Sequence, residues 1–261
     1  MAFWRANERA ITVISVLAGS LVLWELAARI SHVPQFLLPA PSVVIAELFK
    51  APGLYAINSL ATLRVTLIGF GLAVVLGVLL AVAIVHSRIM EHSLYTLLVA
   101  LNSLPKVALA PLFVIWLGTG SPSKTTVAVT IAIFPIVIDT ALGLRSIEPD
   151  VMNMAKVMRA SRWQILRRIR FPNALPAMFA GMKVAISLAL VGTIVGEFVA
   201  GGEGLGSAIL AAQGTFDTAQ VFACIVLLGV LGTVLFYTID FLERRLMPWH
   251  HSQRLLAIPG E

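Results

Sequence analysis

Long apolar runs alternate along this chain with shorter stretches that carry most of its charged residues. A helix needs about 20 consecutive, mostly apolar residues to cross the hydrocarbon core of a bilayer. The runs that meet this requirement are predicted to span the membrane at Ile11–Ile30, Leu60–Val85, Leu94–Leu117, Thr125–Leu144, Ala177–Val199 and Ala219–Leu242. The first follows a short basic lead, which also describes a signal peptide, but its length favours a retained anchor. The pattern predicts an all-α integral membrane protein, with residues 1–261 in a single domain.

Composition indicates that lipid is the main solvent. Apolar residues make up 59% of the chain and charged residues only 12%, against about 25% charged residues in an ordinary soluble domain. The net charge of +6 does not indicate nucleic-acid binding, because the basic residues lie in no soluble module and are not interleaved with stacking aromatics. We therefore expect membrane lipid, and no nucleic acid, among the partners.

Most of the 19 Lys and Arg residues fall on one side of the predicted spans. They lie in the N-terminal segment, the short loop after the second span, the long loop 145–176 and the C-terminal tail. Cytoplasmic loops carry an excess of Lys and Arg, so this side is predicted to face the cytoplasm. Six spans with both termini in the cytoplasm form a self-consistent topology.

The long loop 145–176 interrupts the apolar pattern. Pro149 followed by Asp150 predicts the start of one helix, and Ser161 predicts the N-cap of a second. The second helix places most of its apolar residues on one face and is predicted to end at Phe171-Pro172. Pattern alone leaves two interpretations open, an amphipathic helix on anionic lipid headgroups or a surface that docks a protein.

The loop resembles the "EAA" coupling motif of ABC importer permeases. Its matching positions are Asn153-Met154-Ala155, Arg159-Ala160-Ser161, Leu166, Ile169 and Phe171-Pro172. Other segments are similar to the nitrate/sulfonate/taurine-type permeases of that family. These are Leu104–Leu112 and Trp116-Leu117-Gly118 in the third span, Glu197 with Gly204-Leu205-Gly206 after the fifth, and the tail Pro248-Trp249-His250.

The resemblance implies a permease core at about 56–245 and a multi-pass protein of the bacterial cytoplasmic membrane. It implies a second permease copy, expected to form a homodimer, two ABC ATPase subunits, and a periplasmic or lipid-anchored substrate-binding protein. ATP and Mg are expected on the ATPase, with no cofactor in this chain. The residues it implies for ATPase coupling are Asn153, Met154, Ala155, Arg159, Ala160, Ser161, Trp163, Leu166 and Pro172.

Two positions depart from the motif, since Asn153 replaces its glutamate and Arg159 replaces its glycine. Glycine between two short helices permits a positive φ, which costs a residue with a β-carbon on the order of 1 kcal/mol or more. We therefore expect either a reshaped turn or a compensating polar contact between Arg159 and the ATPase.

Polar residues inside the predicted spans are candidates for the translocation path. Lys106 lies between two prolines of the third span, and Asn102 and Ser103 precede it by one turn. One hypothesis is that Lys106 lines the path and favours a small anionic solute; the alternative is a structural ion pair. Glu197 is expected near an outer gate, or paired with Lys106 or Arg64.

Glycines of the second span are predicted to permit close helix packing, at Gly69, Gly71 and Gly77. No catalytic or metal site is predicted. The stretch Gly118–Thr125 approaches a phosphate-binding loop but lacks the glycine before its lysine, and the histidines form no ligand cluster.

Two other functions are alternatives to an importer permease. A membrane enzyme needs clustered carboxylates or histidines at the cytoplasmic face, but Glu148 and Asp150 are the only acids of the long loop. A secondary transporter does not need the spacing of the coupling motif.

Overall fold

The computed structural model describes residues 2–30, 34, 36–86, 100 and 104–248. Within these ranges, all regular secondary structure is helical. The α-helices are α1 Ala2–Ile30, α2 Pro41–Lys50, α3 Pro52–His86, α4 Ala110–Leu117, α5 Ser121–Arg145, α6 Pro149–Val157, α7 Arg162–Ile165, α8 Phe171–Ala200, α9 Leu205–Gly214 and α10 Thr218–Leu246. A 3₁₀ turn, Lys106–Leu109, leads into α4, and a π-helical turn, Leu166–Arg170, joins α7 to α8.

Four helices in the described part of the chain are long and apolar enough to cross a membrane. They are α3, α5, α10 and the continuous helix Arg162–Ala200, and they contain the predicted second, fourth, sixth and fifth spans. The predicted first span lies within α1. Much of the predicted third span lies outside the described residues, and its described end forms the 3₁₀ turn and α4.

Helix α5 lies at the centre of the fold, packed against α3 and α8. Small residues let these backbones approach closely. A β-carbon added at Gly69 of α3 would lie 2.7 Å from the Ala128 side chain of α5, and one added at Gly192 of α8 would lie 2.7 Å from the Ala128 backbone. Close packing of this kind commonly drives helix association in lipid, because apolar side chains gain little free energy when they move from lipid tails into a helix interface.

The predicted role of glycines in the second span is confirmed at Gly69 and Gly77, which contact α5. It is wrong at Gly71, because a β-carbon there would meet no atom of the described residues within 4 Å. Gly69 and Gly77 are two helical turns apart and share the α5 face, whereas Gly71 points away from it.

The predicted end of the second loop helix at Phe171-Pro172 is wrong. The helix continues from Arg162 to Ala200, so the predicted loop boundary at residue 176 lies inside a helix. The amide of Phe171 donates a hydrogen bond to the carbonyl of Leu166, five residues back. The wider π turn changes the hydrogen-bond register just before Pro172, and the helix can then accommodate a residue without an N–H.

Alanine substitutions at Gly69 and Gly71 test this packing. Gly69→Ala places a methyl group against Ala128. We expect this overpacking to lower the free energy of unfolding by about 1–3 kcal/mol. The added methyl group of Gly71→Ala contacts none of the described residues, and alanine has the higher helix propensity. We therefore expect the free energy of unfolding to rise by up to about 1 kcal/mol. Thermal unfolding of the purified protein in detergent should show shifts of opposite sign, and equal shifts would contradict the packing.

Candidate functional site

The turn after α6 is part of the segment that resembles the coupling motif. Its hydrogen bonds are those of a Schellman helix end. The amide of Ala160 donates to the carbonyl of Ala155 at 3.0 Å, and the amide of Arg159 donates to Lys156 at 2.9 Å. This pair of bonds places the residue after the helix in the left-handed region. Arg159 has φ +52°, so the turn keeps the conformation that glycine favours.

Of the two alternatives expected at Arg159, the reshaped turn is contradicted, because an arginine with a positive φ occupies the position. Its side chain is exposed, and its predicted contact with an ATPase stays a prediction. Ala155 is buried, with 4% of its surface exposed, because it lies at the helix end that the turn folds back over.

The predicted N-cap at Ser161 is confirmed. Its hydroxyl accepts a hydrogen bond from the Gln164 amide at 3.2 Å, and the Gln164 side-chain oxygen accepts one from the Ser161 amide at 2.8 Å. This reciprocal capping box satisfies two backbone donors that the helix start would otherwise leave unpaired. The two helices of the loop thus meet at a turn with defined hydrogen bonds on both sides.

Large apolar side chains on this loop point away from the rest of the chain. We call this the coupling surface; its residues, with exposed fractions, are Met154 63%, Val157 83%, Met158 73% and Trp163 67%. A groove of ≈ 320 Å³ adjoins it between the two loop helices, lined in part by Val151, Gln164 and Ile169.

The remaining motif residues have other environments. Asn153 is exposed on α6, and Pro172 is exposed at the start of α8. Leu166 instead packs inward against a buried cluster that includes Leu144 and Ala174. Leu166 therefore attaches the loop to the membrane helices.

At the opposite end of α8, Glu197 is fully buried, with 0% of its surface exposed. Its carboxylate accepts hydrogen bonds from the Thr62 hydroxyl at 2.8 Å and the Gly206 amide at 2.7 Å. The Thr62 oxygen in turn accepts the Leu205 amide at 2.9 Å. A β-carbon at Gly204 would lie 2.1 Å from a Glu197 carboxylate oxygen, so the glycines of this loop make room for the carboxylate.

The predicted pairing of Glu197 with Lys106 or Arg64 is not the arrangement in the structure. The ammonium of Lys106 lies 4.1 Å from the centroid of the Phe134 ring, a cation–π contact with α5. Lys124, beside Glu197, donates to the carbonyl of Glu203 at 2.8 Å. Asn102 and Ser103 lie outside the described residues.

Two charged residues inside the spans, Asp139 and Lys183, have surroundings that the sequence does not predict; snorkelling is the expectation for Lys183. Asp139 lies on α5 with its side chain against the backbone of Gly181, and it forms no hydrogen bond or ion pair with the part of the chain that the structure describes. Lys183 of α8 forms ion pairs with Asp240 and Glu243 of α10. A charge within an apolar run was the available signal, because buried charges in membranes usually mark function or pairing.

Comparison with known proteins matches residues 73–248 to the family described as binding-protein-dependent transport system inner membrane components. The chain belongs to this family. It is the membrane-embedded permease subunit of an ATP-binding-cassette importer and not an enzyme, and it functions with an ATPase and a substrate-binding protein.

Relatives of this permease differ in the solutes they are named for. It is 39% identical to the riboflavin transport system permease protein of Chloroflexus aurantiacus, over 89% of this chain and 87% of the relative. It is 36% identical to the formylaminopyrimidine transport permease protein of Halalkalibacterium halodurans, over 89% and 93%. It is 29% identical to the nitrate import permease protein of Synechocystis, over 93% and 91%.

Among solved structures, the permease is similar to the inward-facing MetNI methionine ABC transporter. The TM-score is 0.60 at 20% identity, covering 72% of this chain and 92% of that chain. This similarity shows a shared fold.

Substitutions at Arg159 test the left-handed turn of the permease. Arg159→Gly removes the strain of a β-carbon at positive φ, but glycine also raises the conformational entropy of the unfolded chain. Because these effects oppose each other, we expect a free energy of unfolding within about 1 kcal/mol of the parent. Arg159→Val adds β-branching at φ > 0, so we expect a further loss of about 1–2 kcal/mol. Hydrogen exchange of the loop amides should be faster in the valine variant, and equal exchange in both variants would refute the turn conformation.

Proposed function

We propose that the permease docks its ATPase through the coupling surface Met154, Val157, Met158 and Trp163. Exposed apolar patches of this kind usually mark protein interaction sites. The Schellman turn and the capping box give this surface a defined shape, and Leu166 attaches it to the membrane helices. A docked, rigid element of this kind can transfer a change in the ATPase to the pore.

The complete importer in this proposal contains two permease copies as a homodimer, two ATPase subunits and one substrate-binding protein outside the cell. ATP and Mg bind to the ATPase subunits. Both permease termini lie in the cytoplasm of a bacterial cell, with α1 and α10 in its inner membrane. The excess of Lys and Arg on the side of the coupling loop supports this orientation.

For the cargo, we propose a small solute that accepts hydrogen bonds, with an anion as the first candidate. The support is Lys106, a cation inside the predicted third span, whose ammonium lies 4.1 Å from the centroid of the Phe134 ring. The relative named for nitrate agrees with an anion. A neutral heterocycle is the second candidate, favoured by the higher identity to the riboflavin and formylaminopyrimidine permeases.

The docking proposal predicts that Trp163→Ala weakens ATPase binding. Truncation of a central interface tryptophan typically costs 2 kcal/mol or more, which is roughly 30-fold in affinity. The matched control is Trp116→Ala on α4, since Trp116 is 68% exposed and Trp163 67%. Co-purification of the ATPase with the permease in detergent measures the effect, and equal losses in the two variants would rule out this surface.

The cargo proposal predicts that Lys106→Met slows uptake of an anionic solute, whereas Lys106→Arg retains it because a guanidinium also stacks on an aromatic ring. We expect a fall of roughly tenfold or more, since the donor is a charged group. Uptake into proteoliposomes of the complete importer measures this. Unchanged uptake by the methionine variant would remove Lys106 from the path.

The solute used in that assay is chosen by binding to the partner substrate-binding protein. Nitrate, taurine and riboflavin form a suitable first panel, because they separate anions and zwitterions from a neutral heterocycle. Binding of riboflavin alone would favour the second candidate.

A further inference from the structure

A second cavity of ≈ 410 Å³ lies on the face of α6 away from the coupling surface. It opens where the coupling loop meets the cytoplasmic end of α3. Its walls combine apolar side chains, among them Val82 and Val85, with the cationic side chains of Lys156, Arg162 and Arg170.

The charge of this cavity is unbalanced. Among the described residues that line it there is no carboxylate. In the described ranges, Lys156, Arg162 and Arg170 form no ion pair. Arginine and lysine side chains that converge in this way suit a phosphate group, because each supplies charged N–H donors.

The position of the cavity identifies the kind of phosphate. Val82 and Val85 belong to the last turn and a half of α3, which is the end of a membrane-spanning helix. The cavity therefore reaches from the apolar membrane boundary to the basic loop. An occupant that matches both parts has an anionic headgroup and an apolar tail. Basic pockets between membrane helices at the cytoplasmic side commonly bind anionic lipid headgroups.

Residues that line the cavity and residues of the coupling surface lie on different faces of α6. Met152 and Lys156, one turn apart, line the cavity, whereas Met154 and Val157 are exposed on other faces. The cavity and the coupling surface therefore lie on different sides of the same helix.

We propose that this cavity binds the phosphate of an anionic phospholipid, with Lys156, Arg162 and Arg170 as its donors. The lipid fills the space between α3 and the coupling loop. It thereby supports the loop from the membrane side without occupying the coupling surface.

The test is native mass spectrometry of the complete importer, released from membranes that contain phosphatidylglycerol and phosphatidylcholine. We expect phosphatidylglycerol to be retained. We expect Arg162→Gln/Arg170→Gln to lower its retention, by roughly fivefold for each cation removed. The matched control is Arg167→Gln/Arg168→Gln, which removes the same charge from the same loop at positions that do not line the cavity.

Several results would overturn the proposal. They are equal losses in the two double variants, equal retention of the two lipids, or complete displacement of phosphatidylglycerol by inorganic phosphate, which would indicate a free-phosphate site. If the double variant fails to assemble, Lys156→Gln alone should still lower retention about fivefold. Glu91→Gln serves as a further control, because Glu91 is the one acid in the segment 87–103 that follows α3 in sequence. A gain in lipid retention by that variant equal to the loss from Lys156→Gln would show that the cations pair with Glu91 instead.

Discussion

Lipid surrounds this permease on most sides, so its helices cannot associate simply by hiding apolar surface. Backbone contact replaces that driving force. Ala128 lies between Gly69 on one side and Gly192 on the other, and this narrow spacing fixes α5 between α3 and α8. Polar contacts then form towards the ends of the helices, with Glu197 hydrogen-bonded near the loop that joins α8 to α9 and Lys183 paired with residues of α10.

Local chemistry made parts of the fold predictable from sequence. Four of the predicted spans follow from long apolar runs, and the cap at Ser161 follows from a hydroxyl followed three residues later by a glutamine. The motif places glycine at position 159, but the sequence left open whether Arg159 keeps the positive φ, and the structure shows that it does. Each of these features depends on residues within a few positions of one another.

Features that depend on distant residues were not predictable in the same way. Glu197 bonds to Thr62, 135 positions away, and no periodicity in either segment indicates that contact. Gly71 could not be distinguished from Gly69 without knowing which face of α3 meets α5. The helix was predicted to end at Pro172 because a proline normally ends a helix. It continues because a π turn just before the proline changes the hydrogen-bond register, so that the missing N–H is accommodated. Asp139 and Lys183 were visible as charges in apolar runs, yet only the fold shows which of them has a partner.

The loop geometry also explains why the coupling motif has glycine, alanine and serine at three successive positions. Its glycine position is the left-handed residue of a Schellman turn, its following alanine closes that turn, and its serine caps the next helix. These positions define the shape of the turn. The exposed contact surface is formed largely by neighbours outside the motif letters, such as Val157 and Trp163. A motif of this kind can therefore be shared by permeases that dock chemically different ATPases.

The continuous helix Arg162–Ala200 has 39 residues, which corresponds to a rod about 58 Å long at 1.5 Å per residue. One end carries the cap of the coupling turn, and the other ends at Glu197 and a glycine loop with positive φ at Gly201, Gly202 and Gly204. Over that length, a tilt of about 5° about one end displaces the other by about 5 Å, close to one helical turn. A small angular change at the end that carries the coupling turn therefore displaces the Glu197 end by an atomic distance. At that end the Glu197 carboxylate accepts a hydrogen bond from the Gly206 amide of α9, so a displacement of the rod there is transmitted to α9.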